Sequence, residues 1–361
     1  MRKIIYFIFL IGSAVLVSFR GGNIPYLLFY FALLIPALAL TYSIYVYFRF
    51  KIVQEVSRTV VKAKEVPYRL ILANEDFIPF TDITLHYFSD MVTIRESKNI
   101  HNLCLLPHQV MRVDTKMYCK YRGTYQVGVK SVSVTDFLGL FTITYPMVTQ
   151  VRLTAMPRIL PLELLKTELQ KKDPKNTLFS VSKLQELPDY ELRPYRPGDQ
   201  QKYIHWKNSA KTGELLVRKQ MPEELFETVI IADLSPIPGD TEIRLQAEDN
   251  IIEAVIAFVH DYYLKQIPVR VVYMQDNDTL KELLINVRTG FERFYETCAS
   301  LTFNASLPLE KVWERYTSRK AQSHAAILIT SAVTDNLMNY IEENRRVGNE
   351  IVLINTGKLS L

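Results

Sequence analysis

The sequence predicts an α/β plus β protein: two N-terminal transmembrane helices, an antiparallel β-sandwich, and a doubly wound α/β domain. Three observations predict it. Two uncharged apolar runs open the chain, short segments of period two follow, and the C-terminal part alternates apolar strands with amphipathic helices. At 361 residues the chain has room for two soluble domains besides a membrane segment. The expected boundaries are a helical hairpin over 1–50, the sandwich over 51–160, a charged linker over 161–190, and the α/β domain over 191–361.

Ile4 to Phe19 and Ile24 to Phe48 hold no charge. The second run is long enough to cross a hydrocarbon core of about 30 Å as a helix. The first is short, and a signal peptide is the alternative; a second apolar run after only Arg20-Gly21-Gly22-Asn23 favours a two-pass hairpin. Arg2 and Lys3 precede the first run, whereas Arg49, Lys51, Arg58, Lys62 and Lys64 follow the second. The positive-inside rule then puts both ends in the cytoplasm. Tyr26, Tyr30, Tyr42, Tyr45 and Tyr47 sit towards the ends of the second run, as interfacial anchors do. The expectation is a cell-membrane protein with its C-terminal domains in the cytoplasm and the lipid bilayer as one partner.

From Val53 to Met156 the stretches Tyr68 to Leu72, Thr84 to Phe88, Val110 to Val113 and Tyr125 to Val129 read as short strands. Turns are expected at Asn74-Glu75-Asp76, Ser97-Lys98-Asn99 and Arg122-Gly123. Such a run of short strands predicts a sandwich. Asp136, before Gly139, reads as an Asx-type turn former and not as a catalytic acid. Beyond the two prolines Pro157 and Pro161, Glu163 to Glu186 carries Lys166, Lys171, Lys172, Lys175 and Lys183 with little periodicity, which predicts a solvated connector.

Leu192 to Gln220 is the most informative stretch. Pro197-Gly198 predicts a turn, and Asp199 an N-cap for a helix carrying Tyr203, Trp206 and Ala210. Gly213 closes that helix and a strand follows through Leu215 and Val217. The helical spacing of Trp206 predicts a core position. Arg193, Arg196, Lys202, Lys207, Lys211, Arg218 and Lys219 crowd the unit with positive charge. His205 lies between Asp199 and this charge; its bland reading is a polar helix position. The order Arg193, Tyr195, Gly198, Asp199, Lys202, Ile204, Trp206, Ala210, Lys211, Val217, Arg218 resembles the signature of the bacterial domain of unknown function 58 family. Lys202 stands where arginine is usual, and Gln220 where an acid often ends the pattern. Tyr121 to Phe141 is similar to a second feature of that family, with Phe137 in place of its proline.

Beyond the signature, strands are expected at Thr228 to Ala232, Val269 to Met274, Ala325 to Thr330 and Glu350 to Asn355. Helices are expected at Ala247 to Leu264, Thr289 to Leu301, Leu309 to Lys320 and Asp335 to Arg346. That alternation predicts a doubly wound parallel sheet. Ligands of such sheets sit at carboxyl strand ends, where Asp233-Leu234-Ser235 falls. The family's C-terminal half is similar to von Willebrand factor A domains, which implies a divalent-cation site built on Asp-x-Ser-x-Ser. Here Asp233 and Ser235 are present, Ile237 replaces the second serine, and Ser331 follows the later strand where an aspartate is common, with Thr330 and Asp335 near but out of place. The expectation is no cofactor, and at most a weak Mg²⁺ site on Asp233 and Ser235.

A net charge of +5 does not argue for nucleic acid. The chain has no phosphate-binding Gly-x-x-x-x-Gly-Lys loop, no His-Glu-x-x-His helix and no Gly-x-Ser-x-Gly elbow. Its three cysteines and six histidines lack metal-ligand spacing. The expected role is a membrane-anchored, non-enzymatic scaffold or adaptor; the alternative is an enzyme or metal-dependent binder using the Asp233/Ser235 strand end. The family resemblance implies partners, namely MoxR-type AAA+ ATPases, membrane clients and, in some members, transglutaminase-like membrane proteins.

Overall fold

The computed structural model describes residues 2–88, 92–94, 102–147, 151–172, 192–197, 199, 201, 204–218, 228–275, 279–318, 325–346, 350–357 and 359. The chain divides into two units, Met1–Met156 and Pro157–Leu361.

The first unit opens with helices α1 (Arg2–Arg20) and α2 (Asn23–Arg49), joined by a turn in which Gly21 and Gly22 have φ of 57° and 90°. Both helices are long and apolar enough to cross a membrane, and most of their side chains are exposed. Apolar faces of that kind are stable in lipid and costly in water.

Among the described residues eleven strands follow: β1 (Lys51–Val56), β2 (Thr59–Val61), β3 (Glu65–Ala73), β4 (Phe80–Tyr87), β5 (Val92–Ile94), β6 (Leu103–Leu105), β7 (Val110–Cys119), β8 (Gly123–Val127), β9 (Val129–Thr135), β10 (Thr142–Pro146) and β11 (Val151–Met156). They form three sheets in the orders β1-β3-β7-β5, β10-β9-β4-β6 and β2-β11-β8. All pairs are antiparallel except β2 with β11, which is parallel. The three sheets share one apolar core, including Tyr68, Leu70, Leu72, Phe80, Ile83 and Leu85. The single strand expected through Tyr125 and Val129 is two, broken at Gly128, whose φ is 87°. A Cβ there would strike the Gln54 carboxamide, which is already engaged by Tyr68 Oη at 2.7 Å and Val129 N at 2.9 Å. Asp136 is a turn former: its carboxylate accepts from the backbone N–H groups of Leu138, Leu140 and Phe141.

The second unit begins at Pro157 and corrects the charged-linker expectation over its first part. Leu162–Lys172 is a helix, α3, and Leu162, Leu165 and Leu169 are buried in the core. Three leucines on one stripe at i, i+3 and i+7 stabilise the packing by roughly 1.5–3 kcal/mol each. Just before it, the Arg158 guanidinium grips the fully buried Glu253 carboxylate at 3.1 and 2.8 Å. The remaining expected linker, 173–190, lies outside the described residues.

A small element comes next, comprising β12 (Leu192–Pro194), α4 (Trp206–Thr212) and β13 (Leu216–Arg218), with the two strands antiparallel. The body of the unit then runs β14 (Thr228–Ala232), α5 (Thr241–Leu264), β15 (Val269–Gln275), β16 (Thr279–Ile285), α6 (Arg288–Ser300), α7 (Leu309–Thr317), β17 (Ala325–Thr330), α8 (Asp335–Arg346) and β18 (Glu350–Asn355). These strands form one sheet in the order β16-β15-β14-β17-β18. β15, β14, β17 and β18 are parallel, as expected for uninterrupted apolar runs, but β16 pairs antiparallel at the edge. The sheet is therefore mixed and not purely parallel. From β14 the chain steps through α5 to one side, and from β17 through α8 to the other. Right-handed crossovers in opposite directions set those helices on opposite faces and open a switch point between the carboxyl ends of β14 and β17.

Candidate functional site

Two places gather the residues singled out by the sequence: the β12–α4–β13 element and the switch point of the large sheet.

In the small element, Asp199 does not cap a helix. Its carboxylate takes both terminal nitrogens of Arg193, at 2.8 and 2.6 Å, and the backbone N–H of Arg196 at 2.8 Å. The Arg193 side chain holds the Asp199 carboxyl below the usual carboxylate range, chiefly through these hydrogen bonds, and the Arg196 N–H adds to the effect. Arg193 is spent internally in consequence, and its charge is not free for a ligand. The helix starts seven residues later, at Trp206, with His205 as its cap.

His205 caps the helix with its side chain. Its Nδ1 accepts from Asn208 N at 3.2 Å, and its backbone N–H donates to Leu216 O at 2.8 Å. Ser209 Oγ donates to His205 O at 3.0 Å and accepts from Leu216 N at 2.9 Å. Gly213 closes the helix in the left-handed conformation at φ 74°, its N–H on Ser209 O. Tyr195 N–H donates to Leu215 O, continuing the ladder of β12 and β13. Ile204 and Val217 are buried against each other across a bridge. The start and the middle of this seven-residue helix are thus bound to one strand, both at Leu216.

The same arrangement overturns the expectation for Trp206, which is 64% exposed and not core. Ile204 and Ser209 take the inward face, so the first residue of the helix points out. Lys211 is exposed in the last turn. Gly198 and Lys202 lie outside the described residues, and Arg218 is described only as backbone at the end of β13.

At the switch point, Asp233 follows β14 directly. Its Oδ1 accepts from Ser235 N at 3.0 Å and its Oδ2 from Thr330 Oγ1 at 2.6 Å. Thr330 is fully buried, and its hydroxyl also accepts from the Ala332 N–H at 3.2 Å. Thr330 was expected to be out of place; the parallel pairing of β14 with β17 brings it to Asp233 across 97 residues of sequence. No local pattern signals that pair. Ile237, at the position of the missing serine, packs against the core, and Asp335 heads α8. Beyond β18, Thr356 donates to Thr330 O from both its N–H and its hydroxyl, at 2.8 and 3.1 Å. Gly357 then passes so close to Ser331 that a Cβ on it would fall on the Ser331 carbonyl oxygen. Among the described residues no three His, Cys, Asp or Glu side chains come together as a metal site.

None of the curated proteins compared matches the chain. Among solved structures, a FixG-related protein from Vibrio parahaemolyticus is 12% identical over 30% of this chain and 96% of its own, with a TM-score of 0.21. A cohesin module from a Clostridium perfringens ATCC13124 family 33 glycoside hydrolase is 10% identical, covering 29% of this chain and 96% of the module, with a TM-score of 0.19. AvmM, which catalyses macrocyclization in alchivemycin A biosynthesis, is 10% identical over 30% of this chain and 91% of its own, with a TM-score of 0.20. Likenesses at that level carry no functional argument. Residues 191–307 match the family described as "Protein of unknown function DUF58", and that match supports the DUF58 family for this chain.

Proposed function

We propose that this chain is a membrane-anchored, non-enzymatic scaffold or adaptor that docks a MoxR-type AAA+ ATPase and serves membrane client proteins. In this reading α1 and α2 form a two-pass hairpin with the rest of the chain in the cytoplasm. The first unit's sheets make a sandwich, and the second unit is a von Willebrand A-like domain. Length, apolarity and the basic residues after α2 support the anchoring.

One observation carries the adaptor role. Trp206 stands 64% exposed at the start of a helix tied to β13 through His205 and Ser209. A large aromatic held rigidly in water is a poor use of apolar surface unless something covers it, and tryptophan is among the commonest interface anchors. The strand-end cleft supports the non-enzymatic half of the reading. The Asp233 carboxylate has both oxygens engaged by hydrogen bonds, and Ile237 packs against the core, a donor set that does not fit the near-octahedral oxygen shell of Mg²⁺.

The test is a photoreactive side chain in place of Trp206 in intact membranes. It should capture the ATPase subunit, whereas the same side chain at exposed Ile243 should not. Equal capture at both positions, or a metal-dependent turnover that vanishes in Asp233→Ala, would overturn the reading.

A further inference from the structure

We infer that the first unit does not hang from its helices but sits in the membrane surface, with a rim of apolar loop tips led by Phe77 and Phe137 dipping into the lipid headgroup region. This rests on the reading of α2 as a membrane span.

Three loops share one end of the sheets: 74–79 after β3, 106–109 between β6 and β7, and 136–141 between β9 and β10. The pairings Ala73 with Val110, Phe80 with Leu105 and Thr135 with Thr142 place them there, and Lys51, where α2 hands over to β1, pairs with Ala73 at the same end. Each loop presents a large apolar residue to solvent: Phe77 at 83%, Leu106 at 60% and Phe137 at 52% exposure, with Ile78 beside Phe77.

These tips are held, not loose. The Asn74 side chain donates to the carbonyls of Ile78, Leu105 and Leu106, at 2.9, 3.2 and 3.0 Å. The buried Asp136 carboxylate gathers the N–H groups of the loop that carries Phe137. Phe77 packs edge-on against His108 at 4.7 Å. A hydrogen-bonded scaffold that holds largely exposed aromatic side chains outward presents them to a surrounding phase.

The helix identifies that phase. Arg49, at the end of α2, holds Asp76 with two bonds of 2.7 and 2.6 Å. Tyr42, seven residues earlier and about 10 Å back along the axis at 1.5 Å per residue, donates to Pro79 O at 2.8 Å and accepts from Thr81 N at 3.0 Å. The Tyr42 ring also meets Phe137 edge-on at 5.7 Å. The loops therefore reach back from the charged end of the span towards its apolar body. Phe77 and Ile78 lie in the segment bracketed by these two attachments.

The polar groups fit as well. Both acids of the first loop are neutralised, Glu75 by Lys51 and Asp76 by Arg49, so no free carboxylate of that loop opposes an anionic surface. Among the described residues, the turns at the other end of the sheets carry Arg58, Lys64 and Lys120.

The test uses the full chain reconstituted in phosphatidylcholine–phosphatidylglycerol vesicles containing lipids brominated on the upper acyl carbons. Phe77→Trp should add emission that the bromolipid largely removes, and Lys64→Trp should add emission that it leaves intact. Leu38→Trp, in the exposed body of α2, reports on the span itself. Quenching of Leu38→Trp without quenching of Phe77→Trp would overturn the seating while leaving the anchor in place. Absence of quenching at both would remove the anchor, and the seating with it.

Discussion

The β12–α4–β13 element and the switch-point cleft both centre on an aspartate, and they use it in opposite ways. Asp199 is gripped by an arginine and a backbone N–H, and its grip steadies a turn beside a helix that turns a tryptophan outward. Asp233 is engaged by Ser235 and Thr330, and the residues around it face inward: Ile237 against the core, Thr330 buried, Gly357 pressed against Ser331. In the first region internal polar bonds stand beside an apolar group left exposed. In the second they are used to close strand ends on one another. A shared residue type at a strand-to-turn position thus says little about function until its partners are known.

The sharpest way to break the cleft's side of this comparison is Gly357→Ala. Its Cβ would occupy the place of a backbone carbonyl, which cannot swing away as a side chain can. We expect a loss of about 3 kcal/mol, the upper part of the range for overpacking, read as a lowered melting midpoint of the full chain. Little or no change would mean that the β18 exit does not need that close approach.

Thr330→Val is the next largest. It removes the donor to Asp233 Oδ2 and the acceptor for Ala332 N while keeping the side-chain volume. Losing one partner of a buried hydrogen bond costs about 1–3 kcal/mol. Denaturant unfolding should place Thr330→Val in that range. A value near zero would show that water replaces the threonine hydroxyl and that the cleft is more open than its bonds suggest.

Asp199→Asn sharpens the other side through pH. Because Arg193 lowers the folded-state value of Asp199 below its ordinary value of about 3.9, the pair contributes stability that is fully present above that pH. That stability is lost as pH falls through the lower folded value. Wild type should therefore exceed Asp199→Asn in melting temperature at pH 7, and the two should converge below about pH 4. A constant gap across that range would mean that the pair does not respond to ionisation. Both side chains are partly solvated, so this effect is smaller than the two before it.

What was legible in the sequence follows from the range over which each signal acts. The apolar runs of β14 and β17 and the two N-terminal helices are local and were read directly. The α3 stripe of Leu162, Leu165 and Leu169 was hidden by the lysines around it, although its spacing is plain once the helix is known. β16 was missed because an edge strand half in solvent, with Lys281 and Glu282 in its middle, lacks an apolar run. Trp206 was misplaced because helical spacing cannot tell which side of a seven-residue helix faces a hairpin that follows it. The Asp199–Arg193 and Asp233–Thr330 pairs depend on a turn and on sheet order, respectively, and neither has a periodic trace.

The smallest effect on stability and the largest on function should come from the same substitution, Trp206→Ala. An exposed side chain outside any core or network changes stability by about 0.5 kcal/mol or less, so the melting midpoint should stay where it is. The deciding measurement is the affinity of the detergent-solubilised full chain for the proposed partner, a MoxR-type ATPase, with and without that substitution. An anchor worth about 2 kcal/mol or more predicts binding weaker by roughly 30-fold. Unchanged affinity, or a fall in affinity matched by a fall in the melting midpoint, would contradict the account.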